Sequence, residues 1–255
     1  MALGDGITLE FIKPRWDAPG HVQAAVTTRA GGTSRGAYSS LNLADHVGDD
    51  AAAVHRNRQQ LAAALRLPAS PRWLTQVHGT DTVCADDSNV PVRADAAWTQ
   101  TPGTVCAVLT ADCLPVLITD RAGTRVAAIH AGWRGLCAGI IQRSVADFVA
   151  AGIAAGDILA WLGPAISAAN YEVDAPVRDA FVARDAGFAT SFALTRAGHW
   201  QFDLYATARR ILNSLGVVAV SGGEHCTYAD ERLFSYRREQ GCGRQAALIW
   251  LTDGS

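Results

Sequence analysis

The chain has almost no net charge: 22 Lys and Arg stand against 24 Asp and Glu, a formal −2. Without a basic excess there is no global field to hold a polyphosphate, which excludes nucleic-acid scaffolding. Long apolar runs are missing too. Stretches such as Ala246 to Leu251 fall far short of the roughly 20 residues that span a bilayer, so no membrane segment is expected. The start, Met1-Ala2-Leu3-Gly4-Asp5-Gly6, has neither the basic residues nor the apolar core of a secretory signal, which predicts a cytoplasmic protein. No low-complexity linker divides the chain. The one internal echo, Thr28-Arg29-Ala30-Gly31 against Thr195-Arg196-Ala197-Gly198, is too short to mark a duplication. With 49% hydrophobic and 18% charged residues, disorder is excluded as the main state, and residues 1–255 are expected to form a single domain.

Six Cys and seven His are present, yet no C-x-x-C or H-x-x-x-H gathers them. In a reducing cytosol an even cysteine count does not imply disulfides. Cys84, Cys106 and Cys137 lie inside apolar patterns and read as small buried hydrophobes. His21, His46, His55 and His199 have no supporting context.

Hydrophobic periodicity predicts a helix over 49–67, with Asp49 and Asp50 as cap candidates and Pro68 as the stop. Short apolar runs predict strands over 72–77, 82–84, 96–99, 105–110, 115–119 and 125–129. A helix over 136–151 is followed by a C-cap glycine, Gly152. Further on, strands are expected at 158–162, 217–220 and 246–251, and helices at 176–186, ended by Gly187, and from Asp203 to Leu215. Helices and strands intersperse without a strict βαβ rhythm, which predicts a mixed α/β sandwich.

The link Asp120-Arg121-Ala122-Gly123-Thr124 reads as a hairpin. A turn centred between Ala122 and Gly123 places His130 opposite Pro115 and near Cys113, at one sheet edge. Pairing alone is equally consistent with a core cysteine and a satisfied edge histidine. The turn Ala131-Gly132-Trp133-Arg134-Gly135 adds glycines for close approach and a helix N-terminus, while Asp112 and Arg134 flank the pair with opposite charges. Gln76-Val77-His78-Gly79 ends another strand with a histidine. His78, Cys113 and His130 together suit Zn²⁺ with an open fourth position, although their spacing is not diagnostic.

Thr75-Gln76-Val77-His78-Gly79, Thr110-Ala111-Asp112-Cys113-Leu114-Pro115-Val116 and His130-Ala131-Gly132-Trp133-Arg134-Gly135 resemble the YfiH family of laccase-domain proteins, also called peptidoglycan editing factors. The resemblance extends to Thr28–Ser34, Ser40-Leu41-Asn42-Leu43, Leu162–Ile166, Tyr171-Glu172-Val173, Cys226-Thr227 and Phe234–Arg238, and so covers nearly the whole chain. It implies an α/β/β/α sandwich, a mononuclear metal site at His78, Cys113 and His130, and phosphorolysis of adenosine, inosine and methylthioadenosine with adenosine deamination. Zn²⁺ is the implied ion, with Cu²⁺ as the alternative. Purine nucleoside and phosphate would be the partners of a monomer or homodimer. Within that frame Asp112 is the candidate proton shuttle for an activated water. Arg29, Arg134 and Arg237 are candidate phosphate holders, Arg29 first, and Asn42 is a further substrate-binding candidate.

Three other readings compete. A copper polyphenol oxidase would need many clustered histidines, against seven scattered ones with no H-x-H. A cysteine hydrolase would use Cys113 as nucleophile and His130 as base, with His78 unexplained. A non-enzymatic factor that edits peptidoglycan precursors would use the site to sense a ligand.

Overall fold

Apolar runs bounded by turn residues become strands in two stacked sheets. The computed structural model describes residues 9–87 and 92–253. One sheet has four strands, in the order Phe11–Ile12, Val22–Thr27, Gln245–Leu251, Val105–Thr110. The other has six: Ala219–Gly222, Ile158–Leu162, Leu114–Asp120, Val126–Ala131, Ala96–Thr99 and Thr82–Cys84.

Side chains alternate across each strand, so each sheet supplies two cores. Between the sheets, Leu117, Val126, Ala128 and Trp161 meet Val26, Val108, Ala247 and Ile249. Val116, Ile118, Ile129 and Ala160 face the other way, onto Ile141, Val145, Phe148, Phe181 and Ile211 of the helices Ile140–Ala150, Ala175–Val182 and Leu204–Ser214. On the far side Val105, Ala107, Leu109 and Trp250 pack with Leu41, Leu43 and Leu61, the last from helix Ala51–Leu65. Helix, sheet, sheet and helix are the layers of the expected mixed α/β sandwich. Burial on both faces is why these strands read as continuous apolar runs rather than alternating ones. Among the described residues no helix is long and apolar enough to cross a membrane.

The hairpin has the predicted register, with Pro115 paired to His130. Asp120 fixes its turn by accepting from the N–H groups of Ala122, Thr124 and Arg125. Asp50 and Asp203 cap their helices by accepting from Ala52 and Ala206. The helix expected over 136–151 is instead two, Trp133–Ala138 and Ile140–Ala150, because Gly139 takes left-handed backbone with φ 110°. Pro176 lies in a helix that stops at Val182, short of Ala186, since Asp185 starts a new turn by accepting from Gly187 N–H. The strand expected over 72–77 is only Leu74–Thr75, because the Gln76 side chain, not its backbone, pairs with Leu109. The strand expected over 217–220 runs Ala219–Gly222, as Val217 N–H still closes the preceding helix on Leu212. Val22–Thr27 and a small sheet of Glu172–Asp174, His199–Phe202 and Phe192–Arg196 had no counterpart in the sequence reading.

Candidate metal centre

His78, Cys113 and His130 all sit where regular backbone stops. His130 is the penultimate residue of Val126–Ala131 and only 3% exposed. Cys113 stands at the corner before Leu114–Asp120, behind Asp112, whose φ is +88°. His78 closes the turn after Leu74–Thr75 with φ +60°. Left-handed backbone at two non-glycine residues is sparsely populated and needs support from its surroundings. The three donor atoms lie within 4.8 Å of one another, and Cys113 Sγ is 3.8 Å from His78 Nε2. His130 Nδ1 is 2.8 Å from Asp95 Oδ1, which leaves Nε2 for the centre.

Asp95, fully buried just ahead of Ala96–Thr99, was not among the sequence candidates. Its Oδ1 also accepts from His78 N–H at 2.9 Å, and Oδ2 accepts from Gly79 N–H at 2.7 Å and Val77 N–H at 3.2 Å. A signal did exist. A carboxylate flanked by alanines at the head of a buried strand needs partners to offset its desolvation.

The glycines of the 131–135 turn have a spatial reason. A Cβ on Gly132 would lie 2.7 Å from His78 Cδ2 and 3.0 Å from Cys113 Sγ, and one on Gly135 would lie 2.8 Å from Gly79 O. Side chains here would push helix Trp133–Ala138 off the His78 turn.

Electrostatics make the centre a charged pair. Burial alone would raise the Cys113 thiol, but the charges and hydrogen bonds of His130 and His78 bring it down to about 6. Burial likewise lowers His130, and is outweighed by the Cys113 thiolate and the Asp95 hydrogen bond, which hold it up at about 9. Asp95 is held below the usual carboxylate range: burial opposes this, and His130 with the Gly79 and Val77 N–H groups prevails.

The donor set fits a single first-row ion. A tetrahedral ion at about 2.0–2.3 Å from nitrogen and sulfur puts neighbouring donors about 3.5 Å apart, near the 3.8 Å between Cys113 Sγ and His78 Nε2 and within the 4.8 Å that bounds the set. Two imidazoles and one thiolate with an exposed side at His78 suit a catalytic site. A family model described as multi-copper polyphenol oxidoreductase laccase matches residues 23–252. The chain belongs to this laccase-domain family. Curated relatives carry the YfiH name that the motifs suggested. The chain is 48% identical over 244 residues to the Escherichia coli purine nucleoside phosphorylase YfiH, covering 95% of this chain and 99% of the relative. A purine nucleoside phosphorylase of Pseudomonas aeruginosa is 49% identical over 245 residues, with the same coverage. Among solved structures, Neisseria meningitidis protein NMB0706 superposes with TM-score 0.91 at 47% identity, over 95% of this chain and 99% of that one.

Around the laccase-domain centre, the other candidates are placed unequally. Asp112 is adjacent to Cys113; its carboxylate accepts from Thr227 Oγ1 at 2.6 Å and Arg237 N–H at 2.7 Å. The Arg237 guanidinium donates twice to Glu172 O at 3.1 Å and covers the Tyr171 ring at 5.3 Å. Tyr171 is held protonated, first by burial and then by the negative Cys113 nearby. Arg134 is exposed, stacks on Trp133 at 4.4 Å, and has no ion-pair partner among the described residues. Arg29 stacks on Phe234 and reaches Glu239 at 3.3–3.4 Å, with Nε on Ser39 O. Asn42 is not brought to the site surface. Fully buried, it donates to Ala44 O and Asp49 and accepts from Ala44 and Arg244 N–H. Cys226, the other cysteine the motifs singled out, takes hydrogen bonds from Ser167 and Asn170. A separate cavity of about 830 Å³ beside Trp73, Arg58 and Asp86 reaches Gln76 but not His78, Cys113 or His130.

Proposed function

We propose that this laccase-domain protein is a metal-dependent purine nucleoside phosphorylase acting on adenosine, inosine and S-methyl-5′-thioadenosine, with an accompanying adenosine deaminase activity. The observation that carries it is the convergence of His78, Cys113 and His130 within 4.8 Å, in a chain nearly half identical to curated purine nucleoside phosphorylases along its length. Zn²⁺ suits the donor set, and Cu²⁺ would bind it more tightly under the usual affinity order. When bound, the ion supplies Lewis-acid polarisation and activates water beside the purine.

The chain's own residues do the rest. Asp112 moves the proton: a carboxylate has about four lone-pair positions, and Thr227 and Arg237 N–H occupy two, so acceptor capacity remains while the group is held in place. In phosphorolysis a phosphate oxygen bonds to ribose C1′ as the bond to purine N9 breaks, the base taking up a proton as it leaves. Arg29, Arg134 and Arg237 hold that phosphate by charge-assisted bonds. Arg29 is assigned first, and exchange of its long contact with Glu239 for phosphate frees both terminal nitrogens. Asn42, assigned from its motif to substrate binding, acts from behind, tying Ala44 and Asp49 to Arg244.

The test is to incubate metal-quantified protein with adenosine, with and without phosphate, and to separate the products by chromatography. Phosphate-dependent adenine and ribose 1-phosphate, together with inosine, are expected. His78→Ala should fold and lose both. No purine turnover by metal-loaded protein would overturn the reading and favour a precursor-editing role. Against multicopper chemistry, the described residues hold one three-donor group. The hydrolase reading draws on the thiolate character of Cys113; electrophile labelling of Cys113 regardless of metal would support it.

A further inference from the structure

The three candidate ligands come from separate segments, and only His130 lies within a strand, so the two imidazoles need something more than the sheet to hold them in place. His130 is seated by the hairpin register. His78 is not seated this way: its turn follows a strand of two residues, and its left-handed φ is outside any ladder.

We propose that Asp95 is the positioning residue of the centre, a single carboxylate that fixes both histidines at once and selects the tautomer in which His130 presents Nε2 to the ion. This rests on the metal-binding reading and adds a residue to it.

The hydrogen bonds divide cleanly between the two carboxylate oxygens. Oδ1 takes His130 Nδ1–H at 2.8 Å and His78 N–H at 2.9 Å; Oδ2 takes Gly79 N–H at 2.7 Å and Val77 N–H at 3.2 Å. The Asp95 main chain adds to this, since its carbonyl accepts from His130 N–H at 2.7 Å. Three successive N–H groups, from Val77 to Gly79, converge on one carboxylate, and such a concave run of donors is an anion nest that Asp95 fills from within the protein. The Asp95 side chain is fully buried, so its charge is offset by these donors rather than by water. A ligating histidine whose other nitrogen donates to a carboxylate is fixed in ring orientation and made more basic. What is particular to this chain is that the same carboxylate also shapes the backbone of a second ligand.

Asp95→Asn is the informative change because it alters chemistry at nearly constant volume. An amide has one accepting oxygen. If that oxygen serves Val77 and Gly79, the NH2 group faces His130 Nδ1 and favours the Nε2–H tautomer, which cannot ligate without losing its proton. If it serves His78 and His130, the Val77 and Gly79 N–H groups lose their acceptor. Either way His130 or His78 leaves its place.

The experiment measures Zn²⁺ affinity by chelator competition for the wild type and Asp95→Asn, and records the Co²⁺ d–d spectrum of each. Expected are an affinity 10–100-fold weaker in the variant and a Co²⁺ spectrum changed in intensity and position. Wild-type affinity and spectrum in a folded Asp95→Asn would overturn the proposal. Failure of the wild type to bind either ion would instead overturn the metal reading itself. Should Asp95→Asn not fold, ¹⁵N-histidine NMR of the metal-free wild type decides: a proton on His130 Nδ1 coupled to a downfield hydrogen-bonded signal is expected. An Nε2–H neutral tautomer at the alkaline end would refute the assignment.

Discussion

At the scale of single residues, the Cys113–His130 pair fixes how the centre responds to pH. Cys113 is brought from its ordinary 9.0 to about 6, and His130 from 6.5 to about 9. The His130 contribution to stability is therefore complete below 6.5 and lost as pH rises through about 9. The Cys113 contribution is complete above 9.0 and lost as pH falls through about 6. Between 6.5 and 9 the folded pair holds one proton, on the imidazole, and the unfolded pair also holds one, on the thiol. The slopes cancel, so this pair makes metal-free stability flat over that window. Metal affinity behaves differently, because a bound ion displaces the His130 proton. It should rise about tenfold per pH unit between about 6 and 9. Chelator competition at fixed ionic strength checks this, and a pH-independent affinity would refute it. Gly132→Ala is a second residue-scale prediction. Its φ of −66° suits alanine, but the added methyl falls 2.7 Å from the His78 ring. Metal content measured after purification should drop sharply while the circular dichroism melt of the metal-free protein changes little. Wild-type metal content in this variant would show that the turn can retreat. Cys113 and His130 were legible together because hairpin pairing is arithmetic. Asp95 was not, because its partners are backbone N–H groups of a turn whose shape no residue pattern announces.

Elements were legible to the extent that their signals are local. Asp50, Asp203 and the Asp120 turn act within a few residues, and each appears as its chemistry requires. The fully buried strands announce themselves as apolar runs. Val22–Thr27 does not: three of its six residues are Gln and Ala, and it is a strand because Gln245–Leu251 pairs along its length. Leu74–Thr75 failed in the opposite direction, where a run expected to pair over six residues kept only a two-residue ladder. The broken helix at Gly139 yields a prediction at this scale. A Cβ there would meet nothing nearer than 3.6 Å, so space is not the constraint; the φ of 110° is. Gly139→Ala should cost about 1–2 kcal/mol, the penalty for left-handed backbone, with the centre intact. Urea denaturation measures the loss. A variant as stable as wild type would mean that the two helices can fuse into the single one the periodicity suggested.

For the whole molecule, the layering decides how strain travels. Each sheet is the wall of two cores, so the core under helix Ala51–Leu65 and the core under the opposite helices are joined through the one between the sheets. Leu61 and Phe148 are fully buried in the two outer cores. Cavity formation predicts losses of about 2–5 kcal/mol for Leu61→Ala and about 3–5 kcal/mol for Phe148→Ala. If the layers are one cooperative unit, both variants shift the same transition, and far-UV and tryptophan fluorescence signals remain superimposed. If the proposed centre binds metal, the ion should raise that same transition, by about 4 kcal/mol at free ion a thousandfold above Kd, since the candidate ligands span the six-stranded sheet and the His78 turn. Two separated transitions, with Leu61→Ala moving one and metal the other, would show that the four-stranded sheet and its helix unfold independently of the centre. The expected outcome follows from Gln76, whose side-chain amide completes a ladder with Leu109 of the four-stranded sheet two residues before His78. Loss of either sheet removes a support of the candidate centre, so local melting of one layer is expected to disrupt the site.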